Sequence, residues 1–246
     1  GVSFITLLIF IMIRKVKLSY SGKNLSKVML LAMLNPIMFF SFQAFGLLHA
    51  TSSEGGILQA ISPIFTMILA TVFLKEITTK TQRASILLSV FGVLYIFIVQ
   101  GASFDFTRLL GITLLLLSNL SFSGYSILAR TTLREFTVIE ASFLMMAFGA
   151  VVFNVMAIGT HLVNGTISEF FLPVTNPKFI LPVLYLGILS SLGTAVISNY
   201  VLSKLEAAKM SVFLNLGTVI TIFAGVFFLK EPLYPYHIIG SLLIII

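Results

Sequence analysis

The chain has no cysteine, so no disulfide framework, thiolate metal site or cysteine nucleophile enters its chemistry. Charge is nearly as scarce: Asp, Glu, Lys and Arg make up 9% of 246 residues, against about 25% in a soluble domain. The hydrophobic share is 58% and the mean hydropathy +1.10. A water-soluble domain of this length still needs a polar skin, which this composition cannot supply. An integral membrane protein is therefore expected.

Charge is also missing from particular places. Charge-free runs cover 28–53, 55–74, 84–104, 109–129, 141–168, 179–203 and 210–229, each long enough to cross a bilayer core of roughly 30 Å as a helix. Shorter runs cover 1–13 and 232–246 and read as pieces of spans. The start carries neither the basic region nor the small-residue cleavage site of a signal peptide, and the chain is expected to be a fragment of a longer protein. No Asp, Glu, Lys or Arg lies near the middle of a span, which excludes the usual intramembrane carboxylate relay. Paired acids, a Ser/His arrangement and a metal cluster at membrane depth are all lacking, so an intramembrane enzyme is not expected.

The basic residues that do occur are distributed unevenly. If spans alternate, 12 of the 15 fall in one set of loops, near 14–27, 75–83, 130–140 and 204–209. The other set holds Arg108, Lys178 and Lys230. The positive-inside rule makes the first set cytoplasmic and accounts for the net charge of +7 without a nucleic-acid partner. Arg14, Lys15 and Lys17 are placed to meet anionic lipid. His49, His161 and His237 fall near the external ends of spans without a second ligand at metal spacing.

One tetrapeptide is written twice. "FLKE" occupies 73–76 and 228–231, each time after a 20-residue charge-free stretch, Gly55 to Leu74 and Met210 to Leu229. Five spans separate the copies, so Glu76 and Glu231 close their spans at opposite faces. The same 155-residue offset sets Thr66 on Thr221, Ala70 on Gly225 and Ser85 on Gly240. Similar segments of opposite sidedness are the mark of an inverted-topology repeat. Both acids are read as structural or gating groups at an interface.

Candidate substrate contacts must come from neutral polar and aromatic side chains. Pro63 should loosen its helix one turn back, freeing the carbonyl of Gln59, and Gln59, Ser62 and Thr66 share one face with that weak point. The matching depth of the repeat mate carries Asn215, Gly217, Thr218 and Thr221. Pro36 should disturb its own helix likewise, with Asn35, Phe39 and Gln43 following on one face. Ser118, Phe122 and Tyr125 form another stripe, and Ser191, Thr194 and Ser198 a fourth. Small hydroxyl residues in membrane helices also bond to neighbouring helices, so each of these positions has a purely structural alternative. Glutamine and asparagine amides cost more to leave unpaired, which favours Gln43, Gln59 and Asn215 as cavity groups. Phe39, Phe122 and Tyr125 offer an aromatic cage.

Three stretches carry a family resemblance. "GLLHATSSEGGILQAISPIFTMILATVFLKEITTKTQRASILLSVFGVLYI" resembles the end of the first repeat of EamA-type proteins in the drug/metabolite transporter superfamily. "LSKLEAAKMSVFLNLGTVITIFAGVFFLKEPLYPYHIIGSLLIII" is similar to the end of the second. "LSNLSFSGYSILAR" is similar to the helix that opens the second, with Phe122 where many members carry Trp. The resemblance implies an all-α, ten-helix inverted-repeat fold of five plus five helices, both termini cytoplasmic, of which about nine helices are present here. It assigns 1–100 to the first repeat, without its opening helix, and 101–246 to the second, with its last helix truncated. It also implies a protein of a bacterial cell membrane, with membrane lipid around it, that moves small metabolites. With neutral polar and aromatic candidate contacts, a secondary transporter that exports small neutral or zwitterionic metabolites such as amino acids, without a cofactor, is expected. A membrane channel or a non-transporting scaffold is the alternative. The sequence leaves the substrate, coupling ion and oligomeric state open.

Overall fold

The computed structural model describes residues 1–50, 58–59, 61–77, 79–99, 106–214, 216–217, 220, 227 and 234–245. Among the described residues the regular structure is helical throughout. In chain order the helices are α1 (Val2–Arg14), α2 (Leu25–Leu47), α3 (Ser62–Leu74), α4 (Lys80–Val99), α5 (Phe106–Thr132), α6 (Val138–Val163), α7 (Pro177–Lys204), α8 (Ala207–Leu214) and α9 (Pro235–Ile245). Among the described residues four stretches are long and apolar enough to cross a membrane: Leu25–Leu47, Leu109–Thr132, Val138–Val163 and Pro177–Lys204. They follow the charge-free runs, because uncharged stretches of this length bury their backbone polarity only by pairing it within a helix.

Prolines mark where helices depart from regularity. In α2, Asn35 leaves helical geometry (φ −143°, ψ 116°) inside a π-helical stretch, Met33–Met38, that contains Pro36. The pyrrolidine ring restricts the residue before it, which explains the break. Asn35 therefore does not share a helical face with Phe39 and Gln43. A second π stretch, Tyr185–Gly193 in α7, follows Pro182. Pro63 lies in the first turn of α3, with Ile61 as N-cap, where a missing N–H removes no helical bond. A third π stretch, Ala70–Leu74, ends α3, and Lys75 closes it in the left-handed region (φ 54°) with Glu76 N–H bonded to the Ala70 carbonyl at 3.3 Å. The first copy of the duplicated tetrapeptide is thus a helix C-terminus; the second, with Glu231, lies outside the described residues.

The chain forms two compact units, and each draws on both ends of the sequence. The first comprises Gly1–Ile37 and Leu128–Lys204. In it α1 packs on α6 and on the π stretch of α7, the opening turns of α2 pack on α6, and α6 packs on the end of α7. Leu7 and Ile11 of α1 meet Met146 of α6 and Ala195 of α7, with Phe4 and Phe143 at a ring separation of 5.5 Å beside them. Gly149 lets α6 close on α2: a Cβ there would stand 2.7 Å from Cγ of Pro36. Buried Asn199 of α7 donates to the Ser142 hydroxyl at 2.9 Å, satisfying two polar groups that hydrocarbon would leave bare.

The second unit comprises Met38–Ile127 and Leu205–Ile246. Here α4 packs on α9, while α3 packs on α8 and on α4. The end of α2 meets α5 backbone to backbone: a Cβ on Gly111 would lie 2.8 Å from the carbonyl carbon of His49 and 2.9 Å from the Gly46 oxygen. Where lipid supplies no hydrophobic drive between helices, such close approach and hydrogen bonding hold them together.

Candidate functional site: an aromatic row and a polar seam

Within the second unit, the stripe on α5 meets the end of α2. Phe39 and Phe122 have ring centroids 5.5 Å apart, and Phe122 and Tyr125 are likewise 5.5 Å apart. Phe40 joins by an edge-on contact with Phe39 at 4.9 Å. The i to i+3 step from Phe122 to Tyr125 puts both rings on one face of α5, and tilted aromatic pairs at this separation are favourable. Tyr125 is fully buried and Phe122 half-buried. The structure therefore brings together the three aromatic groups expected to form a cage.

Beside this row runs a seam of small polar side chains between α3 and α5. The Ser62 hydroxyl donates to Oδ1 of Asn119 at 3.2 Å, and the Thr66 hydroxyl donates to Ser123 Oγ at 3.1 Å. Ser123 in turn donates to the Ser62 carbonyl at 3.2 Å. One turn away, Ser118 donates to the Phe39 carbonyl at 2.9 Å. All five side chains other than Phe39 are buried. Ser62, Thr66 and Ser118 are thus engaged with protein partners, and their first physical role is to lock α3 and the end of α2 onto α5.

The other expected contacts are dispersed. Gln43 is half-buried, and Gln59 is exposed. Thr194 is exposed and turns its hydroxyl back to the Ser190 carbonyl of its own helix, a common resting state for threonine in a membrane helix. Asn215 and Thr218 lie outside the described residues. Among the described residues no group of three His, Asp or Glu side chains could hold a metal ion.

Sequence reasoning missed Asn119 and Ser123, which follow at i+1 from the stripe that it did select, and Glu140 altogether. Glu140 is the third residue of α6. Its carboxylate closes a capping box with Thr137, accepting the Thr137 N–H at 2.9 Å while the Thr137 hydroxyl accepts the Glu140 N–H at 3.3 Å. The same carboxylate accepts the Ser19 N–H at 2.9 Å and forms an ion pair with Lys23 at 2.5 Å. Lys23 also lies over the Phe136 ring at 5.2 Å from its centroid. The Tyr20 hydroxyl reaches the Glu140 carbonyl at 3.4 Å, and its pKa is pushed up to about 12, first by burial and then by the Glu140 charge. Lys27 pairs with Glu135 alongside. The capping-box pattern "TVIE" at 137–140 was the available signal.

Comparison with known proteins agrees with this architecture. A solved crystal structure, 14% identical in sequence, superposes with a TM-score of 0.75 over 99% of this chain and 80% of its own. That likeness concerns the fold alone. In sequence the chain is 46% identical over 231 residues to the uncharacterized transporter YcxC of Bacillus subtilis, covering 94% of this chain and 74% of that protein. It is 24% identical over 225 residues to an uncharacterized transporter of Archaeoglobus fulgidus, covering 91% and 76% respectively. The sequence profile of the EamA-like transporter family matches residues 1–98 and 109–246. A multi-pass, all-helical membrane protein with these relatives belongs to the EamA-like transporter family of the drug/metabolite transporter superfamily, and it is a transporter of that type.

Proposed function

We propose that the protein is a secondary carrier that exports small neutral or zwitterionic metabolites, amino acids among them, by alternating access between two inverted repeats, 1–100 and 101–246. One observation carries this reading: the packing within the units is reciprocal. Counting from the repeat boundary, α1 corresponds to α6, α2 to α7, α3 to α8 and α4 to α9. Helix α1 packs on α6, α3 on α8 and α4 on α9, so three helices each touch their own counterpart. Helix α1 packs on α7 and α2 packs on α6, which is the same contact with the roles exchanged. Exchange of roles is what a pseudo-two-fold axis produces, and the opposite sidedness expected of the two "FLKE" copies favours an axis in the membrane plane; carriers built this way rock one bundle against the other around a midplane site. The proline-linked π stretches in α2 and α7, a corresponding pair, fit the same scheme.

The absence of charge from the middle of the spans favours a substrate without net charge, recognised by amides, carbonyls and aromatic faces. Phe39, Phe122 and Tyr125 supply such a face; Gln43, Gln59, Asn215 and Thr218 supply polar groups of the right type. In the proposed orientation the basic loops lie in the cytoplasm of a bacterial cell and the spans in its inner membrane, in keeping with the bacterial relatives.

The test is uptake of a labelled metabolite panel, centred on amino acids, into liposomes carrying the full-length protein. Saturable flux of one class, weakened in Gln59→Ala and Asn215→Ala, is the expected result. Flux that neither substitution alters would move the site elsewhere. A folded protein that moves no member of the panel would remove the substrate class from the proposal.

A further inference from the structure

A cavity of about 430 Å³ opens in the first unit where the end of α5, the start of α6 and the end of α7 converge. Its walls carry Arg134, Glu135, Thr137, Tyr200, Ser203 and Lys204. Of the acids at this end, Glu135 is already paired with Lys27 and Glu140 with Lys23. Arg134 and Lys204, by contrast, are exposed and form no ion pair among the described residues. The cavity therefore presents two cations outside these ion pairs together with the Tyr200 hydroxyl, while the Ser203 hydroxyl donates to the Tyr200 carbonyl at 2.6 Å.

Helix α7 shows which kind of anion would reach them. Ile197, Tyr200 and Lys204 follow at i, i+3 and i+7 on one flank, and Ile197 and Tyr200 are 63% and 58% exposed. Read toward the helix end, this flank passes from hydrocarbon-facing aliphatic through an amphipathic aromatic to a cation, the order of the bilayer from acyl chain to headgroup. A soluble anion needs no such gradient; a phospholipid does.

We propose that this cavity is a binding site for the headgroup of an anionic phospholipid. Arg134 and Lys204 neutralise the phosphodiester, the hydroxyl group of Tyr200 supplies a hydrogen bond to it, and Ile197 lies along the first part of an acyl chain. The site is separate from the aromatic row and does not bear on the transported substrate.

The experiment uses the full-length protein in neutral detergent, with phosphatidylglycerol, phosphatidylcholine and soluble glycerol 3-phosphate as three separate probes and lipid retention and thermal stability as readouts. Phosphatidylglycerol should bind and stabilise in preference to the other two. The double substitution Arg134→Gln, Lys204→Gln should weaken its binding by roughly fivefold for each charge removed. Lys80→Gln, an exposed cation that does not line the cavity, should leave it unchanged. Both cavity side chains are exposed, so their loss spares the fold; Lys204→Gln alone gives a second reading on the same scale. Equal losses in Lys80→Gln and the double variant, or no loss in either, would reduce the effect to diffuse surface charge and overturn the proposal. Glycerol 3-phosphate acting as strongly as the lipid would overturn its lipid identity.

Discussion

Glu140 at the start of α6 and Lys23 in the loop before α2 form an ion pair at 2.5 Å although 117 residues separate them. The side chain of Glu140 is 4% exposed and that of Lys23 22%. The neighbouring pair, Lys27 with Glu135, joins the same two segments at 40% and 42% exposure. Two ion pairs with the same connectivity thus differ mainly in burial.

That difference sets the first prediction. Glu140→Gln leaves Lys23 uncompensated and weakens the bonds to the Ser19 and Thr137 N–H groups, so it should cost about 2–4 kcal/mol. Glu135→Gln should cost about 0–1 kcal/mol, because water screens an exposed pair. Thermal melts of the two variants in one detergent compare them directly. Equal shifts would mean that the Glu140 clasp contributes no more than its surface neighbour.

A second comparison uses two glycines on α6. Gly149→Ala would set a methyl group 2.7 Å from the Pro36 ring, which has no flexible end to yield, whereas nothing lies within 4 Å of a Cβ at Gly159. Gly149→Ala should destabilise by about 1–3 kcal/mol by forcing α6 away from α2, and Gly159→Ala should be neutral or mildly stabilising. The melting temperatures, measured on matched preparations, should move in opposite directions or only one should move.

The polar seam separates helix locking from substrate binding. Thr66→Val and Ser123→Ala each remove one side of a hydrogen bond, and their coupling in a double-mutant cycle should be about 0.6 kcal/mol, as for other bonds between membrane helices. If the seam only locks α3 to α5, KM for the transported compound stays the same in both variants. A rise in KM without loss of stability would assign Thr66 to the substrate instead.

Tyr20 gives a pH dependence. Its folded-state pKa is raised to about 12 from the usual value near 10, so the folded state holds its proton in a range where the unfolded chain releases it. Its contribution is therefore complete below about pH 10 and declines as pH rises through about 12. The wild type should lose more stability than Tyr20→Phe when melts at about pH 9 and about pH 11 are compared. Parallel losses would show that the tyrosine is no less solvated folded than unfolded.

Much of the fold was legible because a bilayer admits few solutions. Charge-free runs of sufficient length became α2, α5, α6 and α7, and Pro36 and Pro63 marked a helix break and a helix start. The aromatic row was legible from the spacing of Phe122 and Tyr125, since the helical period alone puts them on one face. Asn119 and Ser123 were not, because the small polar residues of "LSNLSFSGYS" populate several faces of α5 and only the position of α3 decides between them. Glu140 escaped because it sits just outside a charge-free run, where it reads as one more loop charge; its partners Ser19 and Lys23 come from distant sequence. Glu76 was legible as a helix end, whereas the burial that decides the roles of Gln43 and Thr194 depends on neighbours that no local pattern encodes.

The clasp between Lys23 and Glu140 also constrains topology by parity. Two segments that touch through an ion pair outside the membrane lie on one face of it, so the chain between residues 23 and 140 must cross an even number of times. Among the described residues of that interval α2 and α5 are long and apolar enough to cross, and two crossings satisfy the condition. If one of the charge-free runs 55–74 and 84–104 crossed without the other, the count would be odd and the contact impossible. A single cysteine introduced at Lys23 or at Arg134, in a chain with no other, would report the sidedness of both segments from one labelling experiment.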